Sequence, residues 1–250
     1  MNYVSSCLLI LILAAGVNAA YAQCDSLHHV QDASLPPTEE EVVHSPYTRI
    51  ILPAVFVTYQ ALSKVKLADR YVQNVAPRWR IKMDDYLQYA PAAAVYGLDF
   101  AGIKAKHNFR DRTFVMLSSY VFEVLSVRAI KYSFKVARPD GSTNNSFPSG
   151  HTATAFVGAH ILFREYHEAS PWIGLAGYTA ATAVGLSRIV NNRHWLNDVA
   201  AGAGLGILCV EAGYLLLPVF RQMMGEGGLD IVIAPVVGKQ MYGLGFACRF

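Results

Sequence analysis

The chain has 250 residues, of which 53% are hydrophobic and 16% charged, with a formal net charge of +3. Average soluble domains carry about 25% charge. The mild basicity comes without a basic run interleaved with aromatics, which argues against a nucleic-acid partner. The length suits one domain with ample apolar material for a core.

In chain order, Cys7 to Val17 is an apolar run and Ala20-Tyr21-Ala22 is an A-x-A site. Residues 1–22 are therefore predicted to be a secretory signal, with an uncleaved anchor as the alternative because no Lys or Arg precedes the run. Residues 23–47, with Pro36-Pro37 and Glu39-Glu40-Glu41, read as a polar tether. A helical domain is predicted over 48–225, with helices at 48–65, 85–106, 112–135, 151–166, 171–189 and 194–220. In the tail, 226–250, Tyr242, Leu244, Phe246, Cys248 and Phe250 alternate with small or polar residues, which predicts a β-hairpin packed on the helical body. The expected fold class is all-α, a six-helix bundle with a small C-terminal β-hairpin. Cys209 falls in an apolar helix and is expected to pack there, whereas Cys24 and Cys248 could pair in an oxidising compartment.

Three short motifs carry the chemistry. Lys131 is followed after six residues by Arg138-Pro139. The seven-residue separation is about two helical turns, so both cations can face one site, and Pro139 biases Arg138 out of helical geometry. Next comes Pro148-Ser149-Gly150-His151, ahead of an apolar run. Ser149 is placed to cap that helix, Gly150 to let backbone approach a ligand, and the free N–H groups to favour an anion. Last comes Ser187-Arg188, five residues, His194, three residues and Asp198. His194 and Asp198 are i,i+4 neighbours, and a carboxylate on one imidazole nitrogen leaves the other to attack. Taken singly, each motif also fits a solvated helix end, an ordinary cap or a surface pair. In company they make a set that binds a tetrahedral phosphate. His28-His29 are adjacent, a poor arrangement for two ligands of one centre, and no metal or cofactor is expected.

The order K-x6-RP, PSGH, SR-x5-H-x3-D resembles the type-2 phosphatidic acid phosphatase superfamily, which also holds class A acid phosphatases and vanadium haloperoxidases. The resemblance covers residues 113–218. It implies that His194 is a nucleophile forming a phosphohistidine, that Asp198 orients it, and that His151 protonates the leaving oxygen. It also implies that Lys131, Arg138 and Arg188 hold the phosphate oxygens, with Ser149 and the Gly150 N–H completing the cradle. The substrate it implies is an anionic envelope lipid, with lipid A and its 4′-phosphate first. Undecaprenyl pyrophosphate and phosphatidylglycerol phosphate are alternatives, as are a soluble periplasmic acid phosphatase and a vanadate-dependent haloperoxidase.

The membrane enters through segment length. A span needs about 20 mostly apolar residues. Segment 194–220 is long enough but carries Glu211, and segment 112–135 carries Glu123 and Arg128. If all six predicted helices cross after a cleaved signal, the three motifs gather on one side, the cytoplasmic one. A periplasmic site requires that one early segment does not cross, and Arg49 to Lys64 is the candidate. The export signal and exported lipid phosphates together favour this second arrangement, inner-membrane association with a periplasm-facing site. Arg78, Trp79, Arg80 and Lys82 would sit on the motif side, where a Trp among cations suits an interface with anionic headgroups.

Overall fold

The computed structural model describes residues 49–50, 53–57, 59, 71–72, 74 and 82–224, together with the backbone of 230–238 and 241–249. The predicted signal and tether, Cys24, His28, His29 and the run Arg78-Trp79-Arg80 lie outside the described residues, as do the side chains of the tail. Within the described residues the helices are α1 (Asp84–Leu87), α2 (Ala90–Phe100), α3 (Phe109–Phe134), α4 (Gly150–Tyr166), α5 (Pro171–Val190) and α6 (Leu196–Met224). Residues 53–57 are also helical, which makes seven helical segments of four residues or more among the described residues, not the expected six.

The difference comes from the predicted helix over 85–106, which is broken at both its beginning and its end. Pro91 stands at the start of α2. Its ring would clash with the carbonyl of Leu87 and it has no N–H to give, so α1 stops at Leu87 and α2 starts afresh. At the other end Gly102 takes a left-handed φ of 86°, and its N–H donates to the Asp99 carbonyl at 3.0 Å, closing α2 at Phe100.

The long helices follow the sequence more closely. Asn108 caps α3, accepting the Asp111 N–H at 2.8 Å, and Ser170-Pro171 opens α5. Helix α4 lies at the centre, packed by α2, α3, α5 and α6. Its Ala153, Ala155, Val157, Ala159, Ile161 and Leu162 are all buried. Val115, Ile130, Leu205 and Val210 from α3 and α6 close the core around it. Phe114 of α3 stacks on Phe220 of α6 with ring centroids 4.0 Å apart. The α4–α6 approach is close because α6 presents glycine. A Cβ at Gly206 would stand 2.6 Å from the Ala153 carbonyl oxygen, and one at Gly202 2.5 Å from that of Ser149.

Three helices, α3, α5 and α6, are long and apolar enough to cross a membrane. Leu117, Val121, Val124 and Leu125 of α3 are exposed along one stripe, and Leu175 of α5 and Val219 of α6 are exposed as well. Those faces suit lipid contact. The carboxylates that stood against spans turn inward: Glu211 meets His160 at 2.7 Å and Arg164 at 2.7 and 2.8 Å, and Glu123 is buried with Thr154 at 3.4 Å. Charged groups inside a bundle are tolerated when paired as Glu211 is. At the C-terminus, Asp230–Gly238 and Met241–Arg249 run as two antiparallel strands. Packing of this tail on the helices falls outside the described residues.

Candidate active site

The C-terminal ends of α3 and α5 and the N-terminal ends of α4 and α6 meet at one end of the bundle. They enclose a cavity of about 740 Å³. Lys131, Arg138, Gly150, His151, Arg188 and His194 line it, so six of the predicted site residues converge there. Ser149 and Asp198 stand behind the wall, both buried.

Lys131 sits in the last turn of α3 and donates to the Asn145 carbonyl at 2.6 Å. Arg138 lies beyond the end of that helix, as the predicted segment 112–135 and Pro139 imply. Lys135 takes a left-handed φ of 46°, which ends α3. The chain then turns, with the Arg138 N–H on the Thr143 carbonyl and the Gly141 N–H on the Arg138 carbonyl. The Arg138 Nε donates to Asn145 Oδ1 at 3.0 Å, so one asparagine receives both cations.

Ser149 is the N-cap of α4 by position, but it does not cap with its side chain. Its Oγ accepts from Thr152 Oγ1 at 2.9 Å, and its N–H donates to the Asp198 carbonyl at 2.9 Å. It therefore ties α4 to α6 and does not face the cavity. Gly150 does line the cavity, yet a Cβ there would meet only ordinary contact, 3.8 Å from Val127. The close approach is made by Gly202, which packs on the Ser149 carbonyl.

His194 lies two residues before α6, not within it, because Asp198 accepts the Trp195 N–H at 2.9 Å and caps the helix start. The Nδ1 of His194 is 3.6 Å from Asp198 Oδ2, longer than a direct hydrogen bond. Ser146 stands between them, with its Oγ 3.5 Å from Nδ1 and hydrogen-bonded to Asp198 Oδ2. Burial drives the His194 pKa down to about 4, although Asp198 pulls the other way. The ring is thus neutral near pH 7, with Nδ1 turned to Ser146 and Asp198.

Two acidic residues of α1 enter the same cavity. Asp84 is buried and accepts from Arg188 Nη1 at 2.5 Å and from Asn191 at 3.2 Å. Burial alone would raise its pKa, but the hydrogen bond and charge of Arg188 hold it below the usual carboxylate range. Asp85 meets His151 Nε2 at 2.8 Å. Burial and the Arg188 charge push the His151 pKa below its ordinary value, while Asp85 and Asp84 oppose the fall. Arg188 keeps one donor in reserve, since its Nε is buried and has no acceptor. Such an orphan at a cavity wall suits an arriving oxyanion.

Residues 112–221 match the PAP2 superfamily, the family of type-2 phosphatidic acid phosphatases. The matched region is less than half of the chain. Among curated proteins it is 42% identical over 154 residues to a lipid A 1-phosphatase of Porphyromonas gingivalis, covering 60% of this chain and 34% of that one. It is 45% identical over 65 residues to a bacitracin transport permease protein, BcrC, of Bacillus licheniformis, covering 26% of this chain and 30% of the other. The chain thus spans about a third of the length of the curated relatives it matches. Among solved structures, LpxE of Aquifex aeolicus superposes with a TM-score of 0.44 at 24% identity, covering 60% of this chain and 93% of that one.

All three motifs lie inside the matched residues 112–221, and the bundle brings their cations and histidines together. Sequence reading missed Ser146, Asn145, Asp84, Asp85 and the Arg193–Asp140 pair at 3.1 Å. The adjacent acids ahead of an apolar helix were the one visible signal. Nothing local distinguished Ser146, whose partners are 48 and 52 residues away.

Proposed function

We propose that this chain is a phosphatase that removes a phosphate from an envelope lipid through a histidine intermediate. The observation that carries the reading is the convergence of Lys131, Arg138, Arg188, His151 and a neutral, buried His194 on one cavity. In the first half-reaction His194 Nε2 attacks phosphorus, the bond to the lipid oxygen breaks, and His151 gives that oxygen a proton. In the second, water gives a proton to His151 and attacks phosphorus, and the P–N bond breaks with its electron pair returning to His194. Lys131, Arg138 and Arg188 hold the equatorial oxygens as charge shifts, and the unpartnered Arg188 Nε is a donor in waiting. Ser146 and Asp198 keep the reacting nitrogen turned outward. Ser149 acts here through α4–α6 packing, and Gly150 through its backbone.

Lipid A is the substrate proposed first. The Porphyromonas relative is a lipid A 1-phosphatase, which favours the 1-phosphate over the 4′-phosphate expected from sequence. The apolar faces of α3, α5 and α6 support membrane association, and we place the site on the periplasmic side, where exported lipid A is found. The test is phosphate release by purified protein from lipid A, phosphatidylglycerol phosphate and undecaprenyl pyrophosphate, with mass spectrometry of the lipid A product. Loss of the 1-phosphate supports the reading. Loss of the 4′-phosphate returns the assignment to the earlier expectation, and action only on the other lipids overturns lipid A.

A further inference from the structure

The acidic turn α1 lies outside the three motifs, and the PAP2 match begins well after it. It nevertheless places a carboxylate on each of two groups at the site. Asp84 is the buried member and fastens the turn, through Arg188 and Asn191. Asp85 is the more exposed member and meets His151 Nε2 at 2.8 Å. The site therefore holds two histidine–carboxylate pairs from distant parts of the chain, His194 with Asp198 and His151 with Asp85.

We propose that Asp85 is the positioning residue of His151: it holds Nε2–H, fixes the tautomer, and leaves Nδ1 to exchange the proton with the leaving oxygen and then with water. The proposal rests on the phosphatase reading. A carboxylate can only accept here, so Nε2 must carry the proton that points to Asp85. Neutral His151 then has its lone pair on Nδ1, ready to take a proton from the hydrolytic water. Protonated His151 carries its second proton on Nδ1, ready to give to the departing oxygen as the P–O bond breaks. One fixed ring thus serves both half-reactions without rotating.

Charge makes the partner necessary. Lys82, Lys131, Arg138, Arg188 and Arg193 share the cavity with His151, against Asp84, Asp85 and Asp140, with neutral His194 beside them. In that field an imidazolium is disfavoured, and Asp85 is the carboxylate in direct contact with it. Asp85 is also 60% exposed, so its effect is screened in part and its removal should weaken catalysis without unfolding the chain.

The experiment compares wild type, Asp85→Asn and Asp85→Glu on two probes, phosphatidic acid in detergent micelles and 4-nitrophenyl phosphate. The alkyl oxygen of the first needs a proton to leave, whereas the phenolate of the second does not. Asp85→Asn should lower kcat on phosphatidic acid about 10- to 100-fold and on 4-nitrophenyl phosphate less than about threefold. The alkaline limb of its phosphatidic acid profile should move to lower pH, because His151 loses its proton sooner without the carboxylate. Asp85→Glu should restore most of the rate. Equal losses on both probes with an unmoved alkaline limb overturn the proposal, as does an unchanged or raised rate in Asp85→Asn. Failure of wild type on every phosphate ester tried, lipid A included, instead overturns the phosphatase reading and the proposal with it.

Discussion

Two polar clusters in this bundle use the same residue types for opposite ends. At the motif end, His151, His194, Arg188 and three aspartates surround a cavity of about 740 Å³. Farther along α4, His160, Arg164, Glu165, Tyr178, Glu211 and Tyr214 form a closed network. His160 bonds Tyr178 at 2.5 Å and Glu211 at 2.7 Å, Arg164 grips both oxygens of Glu211, and Tyr214 donates to Glu165 at 2.5 Å. His107 joins Glu165 at 2.8 Å. In that network each carboxylate meets an imidazole or a guanidinium, so it fastens α4 to α5 and α6. The motif end differs in two respects. Its cations outnumber its carboxylates along the cavity, and Arg188 Nε is buried without an acceptor. Residue type does not separate a candidate site from a structural cluster; surplus charge and an unpartnered donor beside a cavity mark the candidate.

That contrast can be broken from either side. The largest expected effect is at His194, the proposed nucleophile. His194→Ala should lower phosphate release by at least about a thousandfold, and the thermal unfolding midpoint in detergent should show the bundle still folded. Activity within a few fold of wild type would remove His194 from the nucleophile role. The mirror experiment is Glu211→Ala. Stripping the partner from His160 and Arg164 should cost about 3–5 kcal/mol in stability, with kcat per folded molecule held. A Glu211 variant that keeps its melting temperature but loses turnover would mean that the closed network also serves catalysis.

Smaller effects sharpen the comparison. Gly202→Ala puts a Cβ 2.5 Å from the Ser149 carbonyl oxygen, so α6 must shift. About 1–3 kcal/mol of stability should go, and kcat should fall with it because α6 carries Asp198, read from denaturation and steady-state rates of one preparation. Ser146→Ala should reduce kcat about tenfold and cost about 1–3 kcal/mol of stability, since buried Asp198 loses a donor and then stands 3.6 Å from His194 with nothing between.

The pH profile is the finest test. In the proposed mechanism His194 must be neutral to attack, and burial holds its pKa to about 4, so the acidic limb should fall near pH 4. His151 must be protonated to release the lipid oxygen, and its pKa lies below the ordinary 6.5, so the alkaline limb should begin below neutrality. The two limbs together give an acid-side optimum. The depressed His194 pKa also means that stability is fully present above the unfolded histidine value near 6.5 and is lost as pH falls toward 4, because the unfolded chain takes up the proton first. Rates that keep rising past pH 8, with chemistry limiting, would count against His151 as the acid.

The long apolar helices were legible from the sequence because length, caps and apolar content are local properties. So α3, α4, α5 and α6 fall within a few residues of the predicted segments. The helix over 85–106 was misread where a local rule was overlooked, since Pro91 alone forbids continuity with Leu87. For the site, the three motifs revealed the cations and histidines but not their supports. His194 and Asp198 were visible as a pair, whereas Ser146 between them was not. The cap assigned to Ser149 went wrong because its hydroxyl found Thr152 nearer to hand.

What the sequence determined by itself was local: which cations and histidines stand at fixed spacings, and which stretches are long and apolar enough to lie in lipid. These follow from side-chain type and from spacings of four or seven residues, and need no distant partner. What only the tertiary structure decided was company. Asp84 reaches Arg188 across 104 residues and Asp85 reaches His151 across 66, separations that no periodicity encodes. They meet because small residues let α4, α5 and α6 close together, and because Pro91 breaks the chain into a short turn that lies against α4 and α5. Packing also set the protonation of the site, since a histidine in solution titrates near 6.5, and burial of His194 in this bundle is what brings it to about 4.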